Sequence, residues 1–228
     1  GITWEGIDNG TAPIVTGGEN GTPNRAFSDV ELDPSNPNII YLTVSGYFYP
    51  NENEGHVFKS TDGGYNWFTI NGNLPDIPVN DIMIHYRGTG ANDKELIVAT
   101  DAGIYVTNEA SINWRELAGE FPNTMALHLD YNRLSGKLRT NTWGRGAWEY
   151  QLDKNAIYVQ DKLYISDNVT LDKQIVVAPG GKLIIGHSQA NPSMTVNFNN
   201  GAKIVVEDGG TLLANSNVAI TLTSQSGT

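Results

Sequence analysis

Short alternating runs rich in Val, Ile, Tyr and Thr, separated by Gly, Asn, Asp and Pro, fill residues 27–152 and return at a nearly constant step. Hardly any stretch carries the 3.6-residue apolar period of a helix, so the chain reads as all-β. A first strand falls at residues 30–33, again at 82–85 and again at 127–130. The two steps, 30 to 82 and 82 to 127, are 52 and 45 residues. A second strand follows each time at 41–44, 96–99 and 138–141, and a third at 57–60, 104–107 and 147–150. A fourth is visible twice, at 66–69 and 113–116.

Four strands at a period near 45 residues is the arithmetic of a β-propeller blade, a small sheet that buries its faces only against neighbours of the same kind. Residues 1–152 then hold about 2.5–3 four-stranded blades, counting a partial strand near Trp4. Closed propellers generally have four to eight blades. An arc this short leaves a sheet face and an edge open, so the missing blades are expected from the same precursor or another chain.

The connection between third and fourth strands is the most informative segment. Ser60-Thr61-Asp62-Gly63-Gly64-Tyr65-Asn66-Trp67 fits the pattern S-x-D-x-G-x-x-W. A carboxylate can fold back onto the N–H groups of a tight turn, glycine takes a positive φ, and Trp packs between sheets. A second copy, Thr107-Asn108-Glu109-Ala110-Ser111-Ile112-Asn113-Trp114, keeps the Ser/Thr and the Trp. With Glu109 and Ser111 in place of Asp and Gly, that turn is expected to be looser. The pattern resembles the Asp-box (BNR-like) hairpin of sialidase-, sortilin- and xyloglucanase-type propellers. Ser60, Asp62, Gly64, Trp67, Thr107 and Trp114 are its structural positions, and Thr142-Trp143-Gly144-Arg145-Gly146-Ala147-Trp148-Glu149 looks like the closing strand pair of such propellers.

After residue 152 the pattern changes. Ile175-Val176-Val177-Ala178-Pro179-Gly180-Gly181-Lys182-Leu183-Ile184 returns 29 residues later as Ile204-Val205-Val206-Glu207-Asp208-Gly209-Gly210-Thr211-Leu212-Leu213. Strand, Gly-Gly corner and strand at a fixed step is how a parallel β-solenoid reads. Residues 153–228 resemble the first coils of a right-handed β-helix, with partial coils at 164–171 and 218–222. Further coils are expected as partners at its open end.

Composition removes several function classes. A formal charge of −11 repels phosphate backbones, so sequence-independent nucleic-acid binding is disfavoured. Absence of cysteine excludes disulfides, thiolate metal sites and cysteine nucleophiles. No apolar run approaches the roughly 18 residues of a membrane helix. The 25 glycines and 10 prolines are too few for a collagen-like or disordered chain. Gly1-Ile2-Thr3-Trp4-Glu5 carries no Met, basic segment or apolar signal stretch, and the chain reads as a piece of a longer protein.

Candidate chemistry is sparse. Asp62 invites a glycosidase reading, yet its place on a peripheral hairpin favours a structural role. No cofactor is expected, with Ca2+ at Asp62 and Asn66 kept as a weak alternative because the spacing lacks the dense carboxylates of a calcium loop. A sialidase resemblance would imply several convergent arginines, whereas the chain has only Arg25, Arg87, Arg115, Arg133, Arg139 and Arg145 and no Arg-Ile-Pro segment. Arg145 reads as a turn residue stacked on Trp143 or Trp148. A xyloglucanase resemblance would imply two opposed aspartates, for which Asp81 and Asp101 stand at strand ends. Asp29 and Asp81 head equivalent first strands, and that repetition favours structure. His56, His85, His128 and His187 are scattered without zinc spacing, and His85 is expected outward or at a strand end. Tyr47-Phe48-Tyr49, on a long insertion between second and third strands, suit sugar stacking, protein contact or core packing. Residues 17–24 form a Gly/Asn-rich loop of the same ambiguity.

The expected function is a non-catalytic extracellular scaffold, adhesin or glycan- or protein-binding module. The alternative is a piece of a polysaccharide-active, xyloglucanase-like hydrolase whose carboxylates lie mostly outside the chain. A sortilin-like receptor is a third class, but its disulfide-rich module is missing. Acidic charge, 25 asparagines and absent cysteine resemble large secreted or cell-surface proteins of Bacteroidetes, often exported by the type IX route.

Overall fold

The computed structural model describes residues 26–47, 55–90, 92–117, 121–186, 193–199, 201–215 and 219–224. Trp4, residues 17–24, Phe48, Tyr49 and His187 lie outside them. Every regular element among the described residues is a β-strand. These residues divide into two compact units. The second takes Tyr86–Asp93, Tyr131–Leu138 and the residues from Gln151 onward, and the first takes the rest.

Among the described residues the first unit holds three antiparallel sheets. Strands β1 (Phe27–Leu32), β2 (Ile40–Val44), β3 (Val57–Ser60) and β4 (Phe68–Thr69) pair in chain order. So do β5 (Val79–Tyr86), β6 (Lys94–Thr100), β7 (Gly103–Asn108) and β8 (Ser111–Glu116). The third sheet has β9 (Ala126–Asn132), β10 (Lys137–Thr142) and β11 (Ala147–Gln151). Alternation sends the two sides of each strand to different neighbours. In the first sheet Tyr41 and Val57 join Val79, Ile82, Leu96, Val98 and Trp114 of the second sheet in one apolar cluster. Ile40, Leu42, Val44 and Phe58, on the other side, cluster with Trp67. Both β2 and β6 are therefore buried almost throughout.

The second unit, among the described residues, is built from nine parallel-paired strands. They are β12 (Ala156–Val159), β13 (Lys162–Ile165), β14 (Val169–Leu171), β15 (Gln174–Val177), β16 (Lys182–Ile185), β17 (Ser193–Phe198), β18 (Ile204–Val206), β19 (Thr211–Ala214) and β20 (Ala219–Ser224). The sheet orders are β12-β15-β18, β13-β16-β19 and β14-β17-β20, so each of three successive turns lends one strand to each sheet. Registers stack like on like: Ile157, Ile175 and Ile204 form one column, and Leu163, Leu183 and Leu212 another. Leu163 and Leu183 in the first and middle turns are 7% and 0% exposed and Leu212 in the third 45%, since among the described residues no further turn is stacked on the third. At roughly 25 cal/mol per Å2, sheltering such an inward column is the main source of this unit's stability.

The corners of the turns need glycine for two separate reasons. Gly180 and Gly209 have φ of 81° and 85°, in the left-handed region. Gly181 and Gly210 are wanted for space: a Cβ on Gly181 would collide with the Val159 carbonyl, and one on Gly210 would stand 2.7 Å from the Val177 carbonyl oxygen. Hairpin tips of β5–β6 and β9–β10 belong to this unit. Arg133 donates to Asp161 Oδ2 at 2.9 Å, Gln160 to the Gly88 carbonyl at 2.7 Å and Thr89 to Glu207 at 3.3 Å. Tyr131 donates its hydroxyl to Asp153, and burial first, then that carboxylate, pushes the phenol far above its ordinary pKa.

Candidate functional site

The hairpin between β3 and β4 closes on itself. Ser60 Oγ accepts the Gly64 N–H at 2.9 Å and donates to Asp62 Oδ1 at 2.8 Å. Asp62 Oδ1 also accepts the Asn66 N–H at 2.9 Å, while Oδ2 takes the Asn66 amide at 2.6 Å. Gly63 and Gly64 have φ of 76° and 96°, and buried Trp67 donates its indole N–H to the Gly64 carbonyl at 3.0 Å. Hydrogen bonds from the Asn66 side chain, the Asn66 N–H and Ser60 hold the Asp62 carboxyl below its usual range. Both of its oxygens therefore serve the turn. Among the described residues no group of three or more His, Asp or Glu is placed to hold a metal.

The equivalent hairpin in the second sheet differs from expectation. The β7–β8 ladder breaks at a bulge after Val106↔Arg115 and pairs again at Asn108 and Ser111, leaving a two-residue connection. Thr107 Oγ1 accepts the Asn113 N–H at 2.8 Å, and Asn108 Oδ1 caps Ala110 N–H at 2.9 Å. Glu109 is turned to an ion pair with Lys59 and accepts the Tyr41 hydroxyl at 3.4 Å. Trp114 is buried and bonds the Ile70 carbonyl at 3.2 Å.

The first strands carry a second constellation that residue spacing alone did not expose. Ser28 Oγ donates to the Val79 carbonyl at 2.5 Å, and Asp29 Oδ2 accepts the Ile82 N–H at 3.2 Å. One sheet on, Asn80 Nδ2 donates to the Ala126 carbonyl at 2.9 Å, and Asp81 Oδ2 accepts the Leu129 N–H at 2.6 Å. In each case a polar residue followed by Asp grips the carbonyl of residue j and the amide of residue j+3 on the next first strand. The grip aligns Ile82 with Leu129, two residues off the sequence register that matched Ile82 to Leu127. The same side chains still face the same way, because the slip is even.

This grip concentrates acid. Glu31 accepts the Ile84 N–H, yet burial, and then Asp29, Asp81 and Asp33, push its carboxyl up to about 7. Burial and a hydrogen bond with Asp29 push Asp81 up to about 6, against the pull of the Leu129 N–H and of His128, whose Nδ1 lies 2.5 Å from Asp81 Oδ2. A carboxyl raised in this way can accept or donate a proton near neutral pH. Asp33 behaves oppositely: burial disfavours its charge, but Lys94 and Ser35 bind it strongly enough to hold it low. Asp101 Oδ1 accepts from the Asn80 amide at 3.0 Å.

His85, expected outward or at a strand end, lies one residue from the end of β5 but does not face outward. It is buried, with Nδ1 3.3 Å from Glu95 Oε2, because β5 is covered along most of its length. His56 is also buried, between Asp76 at 3.0 Å and the Val44 carbonyl. Exposed aromatics include Tyr47 and, between β10 and β11, Trp143, which is 74% exposed. Arg145, between two positive-φ glycines, lends its carbonyl to the Trp148 indole at 2.9 Å, and Phe121 packs edge-on to Trp148 with centroids 6.0 Å apart.

No protein-family profile matches the chain, and no curated protein does. Among solved structures the chain is similar to an ancestral GH74 enzyme, at 12% identity and a TM-score of 0.35, over 61% of this chain and 24% of that one. The chain thus spans about a quarter of that enzyme's length.

Proposed function

We propose that the chain is a non-catalytic scaffold and binding module of a large secreted or cell-surface protein. It joins an arc of Asp-box-type propeller blades to the opening coils of a parallel β-solenoid. One observation carries this reading: the acids best placed for chemistry are engaged in holding sheets together. Asp29 and Asp81 bind the backbone of the next first strand, and Asp62 binds its own turn. Trp143 and Tyr47 supply the exposed rings such a module would offer to a sugar or protein partner. The partners are further blades and coils. Among the described residues no helix is long and apolar enough to cross a membrane.

A second reading, a fragment of a polysaccharide-active hydrolase, draws on the raised carboxyls of Glu31 and Asp81, since such groups serve as general acids. Plant and bacterial polysaccharides incubated with the intact parent protein decide between them. Retention without release of reducing ends supports the scaffold. Release that Asp81→Asn abolishes, in a variant that still folds, overturns it.

A further inference from the structure

The sheet-to-sheet grip has a donor side and a receiving side, and among the described residues nothing grips the first sheet's receiving side. On β5 the residues turned back toward the first sheet include Ile82, which is 2% exposed in the shared apolar cluster. Since Val30 precedes Ile82 by the same step that separates Ser28 from Asn80 and Asp29 from Asp81, it occupies the matching place on β1. Asp29 and Glu31 of β1 face the second sheet, so alternation turns Val30 and Leu32 the opposite way. There Val30 is 44% and Leu32 54% exposed, with Phe27 exposed beside them. A first strand with a bare apolar face and an open edge is a template for pairing.

We infer that this face of β1 seats a further sheet of the same kind, supplied by polypeptide other than residues 26–151. The first strand of that sheet carries a Ser–Asp or Asn–Asp pair that grips the Phe27 carbonyl and the Val30 amide. Continuity with the two grips inside this unit fixes the chemistry of the occupant, because both use a polar donor followed by an aspartate and both span carbonyl j and amide j+3. A second copy of this chain does not qualify. Its Ser28–Asp29 and Asn80–Asp81 pairs are already engaged, and its third sheet presents Leu127–His128 at the same position, where leucine donates nothing. The inference rests on the reading of the first unit as an arc of repeated blades.

The absence of cysteine makes the test clean. Val30→Cys and Leu32→Cys are labelled with a maleimide in the full chain, with Ile82→Cys as the buried reference. The thiols at positions 30 and 32 should both react at least about tenfold faster than the reference, which reacts only through local opening. Extending the chain at its start with a flexibly linked duplicate of residues 26–78 should slow labelling of Val30→Cys about tenfold, back toward the reference. A duplicate whose Ser28 and Asp29 counterparts are both alanine should leave it fast. The inference is overturned if Val30→Cys and Leu32→Cys label as slowly as Ile82→Cys in the unextended chain. It is also overturned if the intact duplicate fails to slow them, if both duplicates protect equally, or if protection grows with the chain's own concentration. Polysaccharide turnover would leave these rates unmoved, so this inference and the scaffold reading fail separately.

Discussion

The two glycines of the Gly180–Gly181 corner should respond to substitution in opposite ways. Gly180 needs its conformation: φ is 81°, and a Cβ there would meet nothing within 4 Å. Gly180→Ala therefore costs only left-handed strain, about 1–2 kcal/mol, and Gly180→Asn less, because asparagine tolerates that region. Gly181 needs space. Its added Cβ would strike the Val159 carbonyl carbon and oxygen, backbone atoms of the preceding turn, and would lie 3.1 Å from the Ala178 carbonyl oxygen. Neither can rotate away. The Val159 oxygen also accepts the Ala178 N–H at 2.9 Å, so relief comes only by parting two stacked strands and stretching that bond. Overpacking of this kind costs about 1–3 kcal/mol and a disrupted backbone hydrogen bond about 1 more, giving about 3 kcal/mol for Gly181→Ala. Gly210→Ala, with its nearest carbonyl oxygen at 2.7 Å and the third turn freer to move, should fall between. Urea unfolding read by hydrogen exchange in peptides covering Ala156–Ile185 measures the second unit separately from the first. Equal costs at 180 and 181, or a larger cost at 180, would refute the argument that the corner is closed by backbone contact.

The acid cluster of the first unit makes stability depend on pH. Glu31 and Asp81 hold protons in the folded state that an unfolded chain releases near pH 4. Their stabilisation is full below that value and is lost as pH rises through about 6 to 7, a decline of roughly 1–2 kcal/mol once solvent screening is allowed for. Asp33, held low by Lys94, works the other way and is lost only as pH falls below the ordinary carboxylate range. Unfolding midpoints at pH 5 and 8 check the sign, and Glu31→Gln should flatten the difference. Trp67→Ala removes a buried ring and its bond to Gly64, and should cost about 3–5 kcal/mol in a thermal melt. Trp143→Ala, at an exposed ring, should change stability by less than about 0.5 kcal/mol while weakening polysaccharide retention in affinity electrophoresis if that ring stacks on sugar.

What could be read from the sequence was whatever repeats. The step between third and fourth strands located Trp67 and Trp114, and both are buried in the sheet clusters. The 29-residue step between 175 and 204 is the register the strands adopt, Ile175 beside Ile204 and Leu183 beside Leu212. The preceding turn was legible only as a partial coil at 164–171, because its steps are shorter and unequal: Ile157 pairs with Ile175 and Leu163 with Leu183, and no Gly-Gly corner marks it. His85 was placed near a strand end, where it lies, but its burial was missed because alternation reveals which side a residue takes and not what covers that side. A first strand between two sheets has no wet face. The grip was legible only in part. Asp29 and Asp81 stood out as equivalent, but their meaning lies in Ser28 and Asn80 before them and in backbone atoms of another strand, which leave no trace in side-chain spacing. A backbone acceptor and donor three residues apart can be gripped whatever the side chains between them, so the receiving strand was free to vary as Ile82 and Leu129 while the gripping pair kept its aspartate. That asymmetry is why His128, following Leu127, marks a change of role in the third sheet rather than a further repeat of the first two.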